Sequence, residues 1–182
     1  LAFVTKDQVV VWDLEKGQEH FRVSTGSRLS ALSFDPAGKS LLAVSADGKA
    51  RLINLQYGDE KPFLLDAGAR IIRFSSAGGR LALAAGGRLR VAAVSDPAKV
   101  ILDYGHADNI TDIRFSEDGR LLASAGQDGL VRVWDIDAAR EITRFGFKDQ
   151  VLAVRFATDG KTLTVIAMSG RVGIWPVAYD DP

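Results

Sequence analysis

The 182-residue chain has no cysteine. That excludes a disulfide framework and every metal, redox or nucleophilic chemistry built on thiolates, and leaves the redox compartment open. It has two histidines, His20 and His106, set far apart, and no acidic loop with calcium-ligand spacing, so no metal site is expected. No apolar run approaches the roughly 18 residues of a membrane-spanning helix, so no membrane insertion is expected. Charge of one sign is also missing: 23 Lys and Arg stand against 23 Asp and Glu, which removes any bulk field that would recruit nucleic acid. The 47% of hydrophobic residues is ordinary for a globular chain and argues against disorder.

Internal repetition is the strongest positive signal. The stretch from Ile110 to Ile136 serves as a ruler: its Phe115 recurs as Phe34, Phe74 and Phe156, at spacings of 40, 41 and 41. Its Trp134 falls on Trp12, Ile53, Ala92 and Trp175, at spacings of 41, 39, 42 and 41. Two markers thus keep one period, which fits a four-stranded propeller blade of about 40–45 residues and exceeds the helical repeats of about 33–34. Locally, short alternating apolar runs separated by Asp-Gly turns (Asp47-Gly48, Asp118-Gly119, Asp128-Gly129, Asp159-Gly160) favour strands over helices. Gly78-Gly79, Gly86-Gly87 and Ser169-Gly170 serve the same purpose. The fourth strand of each unit, at His20 to Val23, Phe63 to Leu65, Ile101 to Tyr104 and Ile142 to Phe145, is expected at the sheet edge. There Pro62, Arg22, Lys61 and Arg144 discourage pairing with other chains.

Gly105-His106, Asp118-Gly119, Asp128-Gly129 and Trp134-Asp135 together resemble the WD-repeat β-propellers, with weaker copies over essentially the whole chain. Only Trp12-Asp13 repeats the Trp-Asp pair. Ile53-Asn54, Ala92-Ala93 and Trp175-Pro176 replace it elsewhere. The implied fold is all-β: a propeller of four-stranded antiparallel blades, with about 4.5 blades in repeat units of about 1–26, 27–68, 69–109, 110–150 and 151–182. The strand count leaves the first unit without its innermost strand and the last without its outermost. The chain is therefore expected to be a segment of a larger ring of about seven blades, which at this period needs nearly 290 residues.

His106, Ser124 and Asp128 are the residue types of a hydrolase triad. The resemblance implies a structural tetrad instead: His106, Ser124, Asp128 and Trp134 match its positions, and no Gly-x-Ser-x-Gly elbow surrounds any serine. No catalytic residue is expected. The same spacing points to Ala43 with Asp47, Ala82 with Gly86 and Val165 with Ser169 in other blades, where the tetrad is partial or missing. Gly38-Lys39-Ser40 and Gly160-Lys161-Thr162 look like the end of a phosphate loop but lack its first glycine, Ser33 and Arg155 standing there, and fall in the register of a hairpin turn. No cofactor is expected.

Arg73, Arg114 and Arg155 each precede the phenylalanine of a unit. They form either a basic arc along the inner strands or stems packed between blades with heads in water or on a carboxylate. Arg51, Arg90 and Arg132, two before the tryptophan position, are expected to be solvated or to cover that ring. The resemblance implies a protein or peptide partner, met at the loops entering the innermost strands and at the turns between second and third strands. No nucleic acid is expected. That face would hold Arg28, Asp108, Asn109, Gln127, Asp149 and Gln150, polar residues with no structural duty visible in the sequence. The alternative reading is the sensor portion of a larger multidomain enzyme whose chemistry lies in other residues.

Overall fold

A computed structural model describes residues 1–5, 7–47, 49–63 and 68–177. Those residues carry eighteen strands in five antiparallel sheets and no helix. They form two compact units, Leu1–Arg70 and the residues from Ile71 onward.

The first unit has a three-stranded sheet of β1 (Ala2–Thr5), β2 (Gln8–Asp13) and β3 (Gln18–Ser24), and a four-stranded sheet of β4 (Leu29–Phe34), β5 (Ser40–Ser45), β6 (Ala50–Asn54) and β7 (Glu60–Phe63). The second unit has three sheets. Its first contains β8 (Ile71–Phe74), β9 (Arg80–Ala85), β10 (Arg88–Ala93) and β11 (Val100–Gly105). Its second contains β12 (Ile110–Phe115), β13 (Leu121–Gly126), β14 (Leu130–Asp135) and β15 (Arg140–Gly146). Its third contains β16 (Val151–Phe156), β17 (Thr162–Ala167) and β18 (Val172–Pro176). Every sheet runs up and down in chain order, as in the blades of a partial propeller. β3, β7, β11 and β15 are sheet edges as expected. Each begins one to three residues earlier than expected; β7 begins at Glu60 and is described to Phe63, while Leu64 and Leu65 lie outside the described residues. Gly48 of the Asp47-Gly48 turn also lies outside them.

The hairpins follow from turn chemistry. Gly119, Gly129 and Gly160 take φ of 73°, 76° and 68°, a left-handed backbone that glycine adopts without a Cβ penalty. Gly38 N–H and Gly160 N–H each close a turn, onto the carbonyls of Asp35 at 3.0 Å and Ala157 at 2.9 Å, so the two phosphate-loop look-alikes are hairpin corners.

Period two puts alternate residues of a strand on opposite faces, and β13 is buried on both. Leu122 and Trp134 face Ala82, Ala84, Leu89 and Val91 of the preceding sheet. Leu121, Ala123, Val131 and Val133 face Val151, Val154, Leu163 and Val165 of the following one. Burying each Val or Leu contributes roughly 1.5–3 kcal/mol, so these face-to-face layers are the main source of stability. Tryptophan rings add to the layers: Trp134 lies 5.0 Å from Tyr104, and Trp175 lies 4.8 Å from Phe147. Thr111, at a bulge in β12, fastens two sheets, its hydroxyl oxygen lying 3.1 Å from the Ala125 carbonyl and 2.6 Å from that of Val151. Ser30 sits at the matching bulge of β4 and reaches the carbonyls of Val44 and Ala69.

Candidate functional site

His106, Ser124, Asp128 and Trp134 are brought together by β11, β13, the β13–β14 turn and β14. The indole N–H of Trp134 donates to Ser124 Oγ at 3.0 Å, and Ser124 Oγ stands 2.8 Å from His106 Nε2. His106 Nδ1 is 3.0 Å from Asp128 Oδ1 and 3.1 Å from Oδ2. An indole can only donate, so Ser124 accepts from it and gives its own proton to Nε2, which leaves the His106 proton on Nδ1, directed at Asp128. Asp128 also accepts the N–H groups of Ala107 and Leu130, both at 3.0 Å. Burial pushes His106 below its usual imidazole range, against the opposing pull of Asp128, and the ring is neutral near pH 7. Burial pushes Asp128 up, but the His106 and backbone N–H donors outweigh it and hold the carboxyl low.

This order of contacts is that of a Ser-His-Asp triad, but Ser124 and the His106 side chain are fully buried. The serine oxygen already accepts from Trp134, so no substrate carbonyl can approach it. Gly126, which the sequence reading did not single out, makes the network possible: a Cβ there would lie 2.5 Å from both Asp128 Oδ1 and His106 Nδ1. A Cβ on Gly105 would lie 2.9 Å from the Gly87 carbonyl oxygen, so the glycine of the Gly-His pair permits a close backbone approach.

The other sheets depart from this arrangement. Ser124 pairs with the residue two before the tryptophan, Arg132, and the same pairing selects Ala43 opposite Arg51 and Val165 opposite Gly173. In β9 it selects Leu83, opposite Arg90, rather than the expected Ala82. The β9–β10 turn is only Gly86-Gly87, one residue shorter than the spacing assumed. In β1 it selects Phe3, and the buried Trp12 indole N–H has no partner among the described residues.

Arg51, Arg90 and Arg132 were expected to be solvated or to cover the ring, and their heads are paired. Each reaches across to a carboxylate on the outermost strand of its own sheet: Glu60 at 3.2 Å, Asp103 at 3.2 Å and Glu141 at 2.7 Å. Asp103 also takes Arg88, whose hydrogen bonds lead the causes that hold its carboxyl down at about 2.

The loop residues are less free than the sequence implied. Asp108 Oδ1 accepts the Asn109 backbone N–H at 2.7 Å, and Asn109 Nδ2 donates to Gln127 Oε1 at 2.9 Å, while Gln127 N–H returns to the Asn109 carbonyl at 2.8 Å. Asp149 accepts the N–H groups of Gln150 at 2.8 Å and Ser169 at 2.5 Å, and hydrogen bonding with Ser169 leads the causes that lower its carboxyl. The entry loop of β12 is thus tied to the β13–β14 turn, and that of β16 to the β17–β18 turn. Arg28, in the first unit, is exposed beside Asp7 and Leu29.

Arg73, Arg114 and Arg155 converge on Asp112, a residue the sequence reading passed over; it is buried to 5% exposure. A hint was present in Thr111-Asp112-Ile113, a charge inside an otherwise inward-facing strand, but two of its three arginine partners lie on neighbouring sheets about forty residues away. Among the described residues no group of His, Asp or Glu could hold a metal, and no helix is long and apolar enough to cross a membrane.

The family model described as WD domain, G-beta repeat matches residues 17–54 and 98–135. The two matches support a WD40-repeat family for this chain. Each matched WD40 repeat runs from the outermost strand of one sheet through the third strand of the next, β3 to β6 and β11 to β14, so the sequence repeat is out of phase with the blade. The second match contains the whole His106–Trp134 network. A comparison with curated proteins returned no match. WD40 repeats generally serve as scaffolds for protein–protein interaction.

Proposed function

We propose that this WD40 chain is an interaction scaffold whose blades present polar loops to a protein or peptide partner. Residues Arg28, Asp108, Asn109, Gln127, Asp149 and Gln150 are the proposed contact set. The observation that supports this reading is the bracing of the loops by their own side chains, Asn109 to Gln127 at 2.9 Å and Asp149 to Ser169 at 2.5 Å. Braced loops lose little conformational freedom on binding, which favours recognition by a rigid surface. Asp108, Asn109 and Asp149 therefore have two duties, and substitutions there confound folding with binding. Arg28 and Gln150 are the cleaner probes, because among the described residues both hydrogen-bond through the backbone.

The test is photo-crosslinking from position 150 of the full chain to identify a partner, followed by affinity measurements with the Arg28→Ala, Gln150→Ala double variant. A loss of about tenfold or more at unchanged Tm supports the reading. Wild-type affinity in the folded double variant sinks this choice of face.

A further inference from the structure

Arg73, Arg114 and Arg155 occupy matching positions on the innermost strands β8, β12 and β16 of the second unit. All three fold back in the same way, each Nη1 donating to the carbonyl of the preceding residue: Ile72 at 2.8 Å, Ile113 at 3.0 Å and Val154 at 2.6 Å. This common pose gathers their heads around Asp112. Arg155 Nη1 lies 2.6 Å from Oδ2, Arg114 Nη1 3.1 Å from Oδ1, and Arg73 Nη2 3.9 Å from Oδ1. The same carboxylate accepts the N–H of Ile113 at 3.0 Å and of Val154 at 3.2 Å.

A carboxylate offers about four lone-pair positions; these two amides and Arg155 donate to it, and Arg114 stands against it as an ion pair. Arg73 stays outside hydrogen-bonding distance. Three guanidiniums thus share one carboxylate, an excess of two positive charges among the described residues. Desolvation is the leading influence that pushes Arg73 and Arg114 down; Asp112 opposes it and the neighbouring guanidiniums reinforce it. Guanidiniums nevertheless remain charged in proteins, so the excess persists. The heads are also reachable, with side-chain exposures of 37%, 21% and 55% for Arg73, Arg114 and Arg155.

We propose that this inner arginine arc is a binding site for a phosphoryl dianion. A phosphate monoester carries about −1.5 to −2 near neutral pH and offers three acceptor oxygens, which matches the excess charge and the unused fork donors. A single carboxylate would leave half of the excess uncompensated. Arg114 lies five residues along β12 from Asn109, roughly 16 Å by strand rise, so the arc is separate from the loop surface and does not depend on the scaffold reading.

The test uses the full chain at low salt, with inorganic phosphate and O-phosphoserine as probes and acetate as the monoanion control, followed by calorimetry and ³¹P NMR. The key variant is Arg73→Gln, because Arg73 makes no hydrogen bond to Asp112. Should it fail to fold, Arg73→Lys keeps the charge and removes the fork. Saturable binding of a phosphoryl probe, absent with acetate and weakened tenfold or more by Arg73→Gln (or several-fold by Arg73→Lys) at unchanged Tm, is the expected result. Binding of inorganic phosphate assigns the free ion as a sufficient ligand, and binding of O-phosphoserine alone assigns an ester. No saturable binding of either phosphoryl probe to the folded chain, equal binding of acetate, or wild-type affinity in the folded Arg73 variant overturns the proposal.

Discussion

The indole N–H of Trp134 ends on Ser124 Oγ at 3.0 Å, inside a network that the preceding and following sheets seal from water. Trp12 holds the equivalent place in the first sheet, yet its indole N–H is unpartnered among the described residues because Phe3 stands where a hydroxyl would be needed. Trp134→Phe should therefore destabilise the chain by about 1–3 kcal/mol more than Trp12→Phe, since only the first leaves a buried acceptor unmatched. Urea unfolding of both variants measures the difference; equal losses would show that ring packing alone accounts for both.

Gly126→Ala places a methyl where the His106–Asp128 pair closes. The expected cost is about 1–3 kcal/mol from overpacking, together with separation of the imidazole from its carboxylate. Imidazole ¹⁵N shifts report the second effect: a His106 ring that keeps its tautomer and titration in the variant contradicts the geometry.

Stability should depend on pH in two separate windows. His106 has a folded-state pKa below its ordinary 6.5 because of burial. As pH falls below 6.5 the unfolded chain takes a proton that the folded chain refuses, so stability is full above that value and declines on acidification. Asp103 acts with the same sign at lower pH: its pKa of about 2 against an ordinary 3.8 gives stability that is present above 3.8 and lost as pH falls toward 2. Its side chain is 36% exposed, so solvent screening keeps the contribution under about 1 kcal/mol. Asp103→Asn should lessen the slope of only the lower window of a pH series of denaturation curves, which Asp128 and Asp149 share, and a change confined to the upper window would refute the assignment.

Among the described residues β18 is a sheet edge that exposes Val172 at 65% and Ile174 at 70%. An exposed apolar edge strand invites pairing with other chains. Val172→Lys with Ile174→Lys should lower self-association, seen as a smaller mass in light scattering at high concentration, without lowering Tm. An unchanged mass would show that this edge does not drive association.

The hairpins, the edge strands and the recurrence of about 41 residues were legible in the chain because each depends on neighbours close in sequence: a glycine at positive φ, a proline on an edge, alternation along one strand. The His106–Trp134 set was legible for a related reason, since all four residues lie within about thirty residues of one another and carry a family's spacing. What the linear reading mistook involved residues whose partners lie on other strands. Arg132 looked like a solvated cation until Glu141 faced it across a strand pair, and Leu83 replaced Ala82 because a two-residue turn shifts the register by one. Asp112 was invisible for the strongest reason: one arginine that meets it lies on its own strand, but the other two arrive from separate sheets, and only the stacking of three innermost strands brings the three charges onto one carboxylate. Local pattern thus decides which elements form and which faces are apolar. The placement of charge depends on the layers closing, because Coulomb interactions and desolvation follow distance in space and not separation along the chain.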